Sequence, residues 1–88
     1  MKVTFRSSFL RDLKKIRDRA VLAAVKLVLE QLETADALEA IPELRKLAGA
    51  SGFYRIKVGD YRIGLSISDG VLECVRCLHR RDIYKRFP

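Results

Sequence analysis

Apolar and polar residues alternate from Phe53 to Ser68, FYRIKVGDYRIGLSIS, with Gly59-Asp60 at the midpoint. Period-two alternation marks a half-buried strand, and a two-residue glycine turn joins two such strands into a hairpin. That turn predicts Val58 opposite Tyr61, Lys57 opposite Arg62, Ile56 opposite Ile63, Arg55 opposite Gly64 and Tyr54 opposite Leu65. In this register Tyr54, Ile56, Val58, Tyr61, Ile63 and Leu65 share an apolar face. Arg55, Lys57, Arg62, Gly64 and Ser66 share the other.

Upstream, Met1 to Arg6 alternates through Val3 and Phe5 and predicts a first strand. Ser7 or Ser8 is the candidate cap of a helix whose apolar positions are Phe9, Leu13 and Ile16. A second helix is predicted from Arg19 to Glu33, with Val21, Val25, Val28 and Leu32 in one stripe, widened by Leu22 and Leu29. Thr34 to Gly52 reads as a connector, extended at Ile41-Pro42 and pinned by Leu44 and Leu47.

Downstream, Asp69-Gly70 is a type I′ turn signal and Val71 to Leu78 is the next strand. A straight register pairs Leu65 with Cys74, Arg62 with Cys77 and Tyr61 with Leu78, and carries His79 onto the Arg62 side. It also puts Arg76 on the apolar face, a conflict that a bulge or a solvated edge resolves. Ile83 and Phe87, one helical turn apart, predict a short docked helix. The expectation is one α+β domain over residues 1–88: an N-terminal strand, two helices, a three-stranded antiparallel meander and a short C-terminal helix.

Composition narrows the class. With 49% apolar and 33% charged residues among 88, the chain suits a soluble domain rather than a disordered one. No apolar run reaches membrane-span length and no signal core follows the N-terminus, so a cytoplasmic protein with no membrane partner is expected. The net charge of +7 is unevenly placed. Residues 1–44 carry eight basic and seven acidic side chains, and residues 45–88 carry ten and four. A basic half of this kind calls for a polyanionic partner such as nucleic acid, or for an acidic protein.

The polar hairpin face sharpens that expectation, because Lys57 opposite Arg62 is a destabilising like-charge pair. Arg55 opposite Gly64 leaves the surface shallow, so three cations surround a candidate phosphate seat. Beyond the last strand, His79-Arg80-Arg81 and Lys85 add basic groups, and Tyr84 offers a ring for stacking on a base or for anchoring the segment. No predicted helix presents a major-groove reading face, so this set suits RNA better than DNA. Cys74-x-x-Cys77 lies on a strand, where residues three apart face opposite ways, and a single histidine disfavours a structural zinc site. Two buried thiols are expected, with no metal and no small-molecule cofactor.

Such a set has chemistry available to it. RNA cleavage without metal needs the 2′-OH deprotonated, the phosphorane charge stabilised and the leaving 5′-oxygen protonated. Clustered cations serve the second need, a lysine crowded by arginines is moved toward use as a base, and a histidine can donate the proton.

Three runs, Leu47-Ala48-Gly49, Tyr54-Arg55-Ile56-Lys57-Val58-Gly59-Asp60-Tyr61-Arg62 and His79-Arg80-Arg81-Asp82-Ile83-Tyr84, resemble the RelE branch of the RelE/ParE toxin superfamily. These are toxins of type II toxin–antitoxin modules. The resemblance implies a small metal-independent endoribonuclease that cleaves mRNA in the ribosomal A site and is inhibited by a cognate antitoxin. It implies Lys57 as general base, Arg55 beside it in the basic pair, Arg62 on the scissile phosphate and Arg80 stabilising transition-state charge. Tyr84 would stack on or orient the substrate. His79 is an acid or a phosphate contact, and Arg80 and Arg81 exchange roles if the strand ends one residue early. Two alternatives share the pattern: a ParE-like DNA gyrase poison, and an RNA-binding module without catalysis.

Overall fold

The computed structural model describes residues Met1 to Pro88. The predicted hairpin forms as β3 (Phe53–Val58) and β4 (Tyr61–Ser68), with each of the five predicted pairs in place. Gly59 has φ of +59°, and Asp69 and Gly70 in the next turn have φ of +51° and +75°, the left-handed values that two-residue hairpin turns require. β5 (Val71–His79) follows antiparallel to β4.

The sheet is wider than the expected meander. It has five strands in the order β1-β5-β4-β3-β2, and it is mixed, because β1 (Lys2–Phe5) runs parallel to β5. The other edge strand, β2 (Leu44–Lys46), lies within the expected connector and pairs antiparallel with β3. Three residues carry too little alternation to announce a strand. Pairing with β3, rather than local propensity, makes this one.

Helices α1 (Ser7–Lys15) and α2 (Arg19–Thr34) cover one face of the sheet. Phe9, Ile16, Val25 and Leu32 meet Ile56, Ile63, Leu65 and Leu72 there in a single buried cluster. Asp18 caps α2, accepting from the Ala20 N–H at 2.9 Å. Neither serine caps α1, whose N-cap is Arg6. Ser8 instead donates from Oγ to the Val75 carbonyl at 2.6 Å. On the opposite face the short α3 (Ile83–Arg86) docks through Ile83 and Phe87 onto Val75, with Leu47, Phe53 and Leu78 around them.

One irregularity accounts for three departures from the straight register. Leu65 pairs with Cys74 as expected, but Gly64 pairs with Arg76, so Val75 is an extra residue. Beyond the bulge the strand changes phase. Arg62 therefore pairs with Leu78 rather than Cys77, and Tyr61 with His79 rather than Leu78. Arg76 leaves the apolar face, which removes the conflict. Cys77 joins Cys74 on the core side, where both thiols are free and buried. His79 moves from the Arg62 side to the Tyr61 side, its ring meeting the Tyr61 ring edge-on at 5.6 Å.

The bulge sits where β1 ends. β1 covers β5 only from Val71 to Cys74, which would leave the rest of that strand edge unpaired. Helix α1 supplies the missing partners. Ser8 takes the Val75 carbonyl, and one turn later Asp12 Oδ2 accepts from the Cys77 N–H at 2.9 Å. Asp12 is only 4% exposed, and its charge is met by Arg76 Nε at 2.7 Å and Nη2 at 3.0 Å. That bond raises the arginine pKa above its ordinary value, overcoming the opposing effect of desolvation.

Candidate nucleic-acid interface

The face that carries α3 also carries the cations. Cross-strand pairing lines up Arg45, Arg55, Gly64 and Arg76 in one row across β2 to β5, and Lys57, Arg62 and Leu78 in the next. Arg76 is consumed by Asp12. The only other ion pair in the molecule joins Arg6 to Glu73 at 2.6 Å, so the remaining cations of this face have no carboxylate partner. Arg45 belongs to the row but escapes a sequence reading, since it becomes a face residue only when β2 forms. The one trace of it in the sequence is the apolar Leu44 two residues after the proline, with Arg45 beside it.

Each predicted site residue has a definite place. Lys57 is exposed, and Arg62 folds back so that Nη1 donates to the Gly59 and Tyr61 carbonyls, both at 2.9 Å. Arg55 is half-buried, and its Nη1 is buried without a hydrogen-bond partner. Such a donor costs free energy until something accepts from it. Arg80 and Arg81 are exposed on the turn after β5. The Arg80 N–H donates to the Asp60 carbonyl at 2.8 Å, tying that turn to the tip of the first hairpin. Arg80 thus stands beside the Arg62 end of the sheet. Tyr84 is 59% exposed on α3 and anchors nothing, while Lys85 lies exposed beside it.

Two expectations are corrected by this geometry. The shallow seat above Gly64 is not open, because the Phe87 ring covers it. A Cβ built on Gly64 would lie 2.7 Å from that ring, so the glycine is where the C-terminal segment lies down on the sheet. His79 does not share the Arg62 face; its Nδ1 accepts from the Arg81 N–H at 3.2 Å, which leaves Nε2 as the proton-bearing nitrogen of the neutral ring.

The remaining chemistry-bearing groups are quiet. Burial pushes the Cys74 and Cys77 thiols up to about 12, helped by each one's neighbouring anions, so neither is a nucleophile near neutral pH. No cluster of three or more His, Cys, Asp or Glu side chains is placed to hold a metal ion. No helix is long and apolar enough to cross a membrane.

A fold of five mixed strands with two helices on one face and a basic, tyrosine-bearing C-terminal segment on the other has close relatives. The sequence model of the family described as "ParE toxin of type II toxin-antitoxin system, parDE" matches residues 3–84. Toxin RelE3 of Methanocaldococcus jannaschii is 35% identical over 89 residues, covering 100% of both chains. Among solved structures, the RelB-RelE antitoxin-toxin complex from Methanococcus jannaschii superposes with a TM-score of 0.82 at 32% identity, covering 97% of this chain and 99% of that one. The toxin-antitoxin complex RelBE2 from Mycobacterium tuberculosis gives 0.68 at 26% identity, covering 90% and 96%. The chain belongs to the RelE/ParE superfamily of type II toxin–antitoxin toxins, and within it is RelE-like.

Proposed function

We propose that this toxin is a ribosome-dependent endoribonuclease that cuts mRNA in the A site without a metal ion, working in the cytoplasm where ribosomes are. The observation that supports this reading best is that Lys57 and Arg62 pair across the hairpin with Arg80 tied to its tip, none of them in an ion pair, while Tyr84 stands exposed on the short helix that docks on the same face. In the proposed reaction Lys57 takes the 2′-OH proton and the oxygen attacks the adjacent phosphorus. Arg62 and Arg80 stabilise the charge of the phosphorane. The departing 5′-oxygen takes its proton back from the Lys57 ammonium through solvent, while His79, whose Nδ1 is occupied by the Arg81 N–H, donates Nε2–H to a flanking phosphate with Arg55, Arg81 and Lys85. Tyr84 stacks on or orients a base.

A cognate antitoxin is the proposed inhibitor, through an acidic or extended segment laid over the cations or displacing the C-terminal segment. The similar RelB-RelE and RelBE2 structures are toxin–antitoxin complexes, in keeping with this. The family description names the ParE branch, so DNA gyrase poisoning is the second reading.

Expression of the toxin with primer-extension mapping of mRNA separates the two. Cuts within codons that disappear in Arg62→Ala support the ribonuclease. DNA breaks with intact mRNA overturn it. Metal independence is tested on stable pre-formed ribosome complexes, where chelator should leave the single-turnover rate unchanged.

A further inference from the structure

The edge of β5 that α1 completes is not fully closed. Past Asp12, between the end of α1 and the start of α3, lies a cavity of about 210 Å³. Ile16 and Leu78 supply apolar wall, the Tyr61 and His79 rings stand together at one side, and Lys15, Arg86 and Asp82 ring the mouth. The Arg80 N–H points at β4, so alternation aims the backbone groups of Cys77 and His79 the other way, out of the sheet. The Cys77 N–H is taken by Asp12 and the His79 carbonyl accepts from the Asp82 N–H at 2.8 Å. The Cys77 carbonyl and the His79 N–H remain, and no side chain, turn or cap bonds to either.

An acceptor and a donor two residues apart on a free strand edge match the paired donor and acceptor on the edge of a nucleobase. The volume lies below the ~300–1,000 Å³ of a drug-sized site, which suits one base and little more. Aromatic surface at the side serves the ring, and Lys15 and Arg86 serve a phosphate at the mouth. Of the two carboxylates that line the cavity, Asp12 is neutralised by Arg76, and Asp82 at the mouth is outnumbered by Lys15 and Arg86. The cavity opens one strand spacing, ~4.8 Å, beyond the β4 strand that bears Arg62.

We propose that this cavity is a base-reading pocket. It takes one nucleobase of the RNA strand against the Cys77 carbonyl and His79 N–H, with the attached phosphate between Lys15 and Arg86. The choice of RNA rests on the ribonuclease reading above, but the pocket is testable without ribosomes. Nitrogen–proton NMR spectra of the free toxin would be titrated with each nucleoside 5′-monophosphate and, separately, with ribose 5-phosphate and inorganic phosphate. The expected result is movement of the His79 amide signal and of the Leu78 amide, whose nitrogen is bonded to the Cys77 carbonyl carbon, and binding about tenfold tighter for the best nucleotide than for ribose 5-phosphate. Lys15→Ala and Arg86→Ala, both at exposed positions, should each weaken binding about threefold. On ribosomes the ratio of cleavage at favoured to disfavoured codons should fall in both variants. Equal binding of nucleotide and ribose 5-phosphate, shifts reproduced by phosphate alone, or unmoved Leu78 and His79 signals would each overturn the pocket. Nucleotide binding in a toxin that cuts no mRNA would keep the pocket and remove the ribonuclease instead.

Discussion

Arg76 and Arg62 stand on adjacent strands, one pair apart on the same face, and the molecule treats them differently. Arg76 gives Nε and Nη2 to a carboxylate that is 4% exposed, and that carboxylate also closes the strand edge by accepting from the Cys77 N–H. Arg62 reaches only the carbonyls of its own turn, and across from it is Lys57. One arginine is held by a buried carboxylate, while the other has no carboxylate partner in the fold. Two arginines of one face thus differ not in residue type but in whether a buried carboxylate meets them, and only Arg62 is left without one.

The largest effect should come from breaking the satisfied side of that contrast. Arg76→Ala leaves the Asp12 carboxylate buried without its cation and is expected to cost about 3–5 kcal/mol in a denaturant melt. The double variant with Asp12→Asn should recover part of the loss, because the uncompensated charge goes with it. Equal stability of Arg76→Ala and wild type would show the pair to be ornamental.

Arg62→Ala tests the other side. Its folding stability should change by no more than about 1 kcal/mol, since two partly solvated hydrogen bonds to the turn are exchanged for relief of the Lys57 repulsion. Single-turnover cleavage should lose at least ~2–3 kcal/mol of transition-state stabilisation. A large loss of stability with little change in rate would reverse the assignment of roles between the two arginines.

Gly64→Ala asks whether the space between them is as full as the Phe87 ring makes it. A methyl group at 2.7 Å from the ring must push it away, at about 1–3 kcal/mol. Shortening the ring in the same background, by Phe87→Leu, should reduce that cost.

The two thiols behind Arg76 predict a slope in alkaline solution. Burial raises both folded pKa values to about 12 from 9.0, so the unfolded chain loses these protons first as pH rises. Their contribution to stability is complete below pH 9 and declines between 9 and 12, by about 1.4 kcal/mol per pH unit for each thiol. Cys74→Ala with Cys77→Ala should flatten that part of the stability profile. An unchanged slope would mean that other groups carry the alkaline transition.

The smallest stability effect belongs to Tyr84→Ala. The side chain is 59% exposed, so a melt should move by less than about 0.5 kcal/mol. Cleavage should still fall if the ring meets substrate. A melt several kcal/mol weaker would return Tyr84 to the structural side of the comparison.

The first hairpin was fully legible, and for a physical reason. A two-residue glycine turn fixes the register, and the alternation of Tyr54 to Leu65 makes any slip of one residue bury the wrong face. The helices were legible through their apolar stripes, and Ile83 with Phe87 announced the docked C-terminal turn. What could not be read locally lies along one line in space. β2 needs β3 as its partner, β1 stops where α1 begins, and the Val75 bulge sits where α1 takes over the edge that β1 leaves. The bulge alone moved Arg76, Cys77 and His79 across the sheet, and with them the composition of each face.

Local pattern is enough for the two long helices, the central hairpin and its register, the strand that follows it, the docked C-terminal turn, the basic asymmetry and the residues that resemble a RelE-like site. These depend on neighbours one to four positions apart, which a linear reading can see. Only the folded chain brings Asp12 to Arg76, lays Phe87 over Gly64, adds Arg45 to the cationic row and opens a cavity beside His79. Each of those depends on two distant segments meeting at one strand edge or one face, where hydrogen-bond satisfaction and packing, rather than local pattern, select the arrangement.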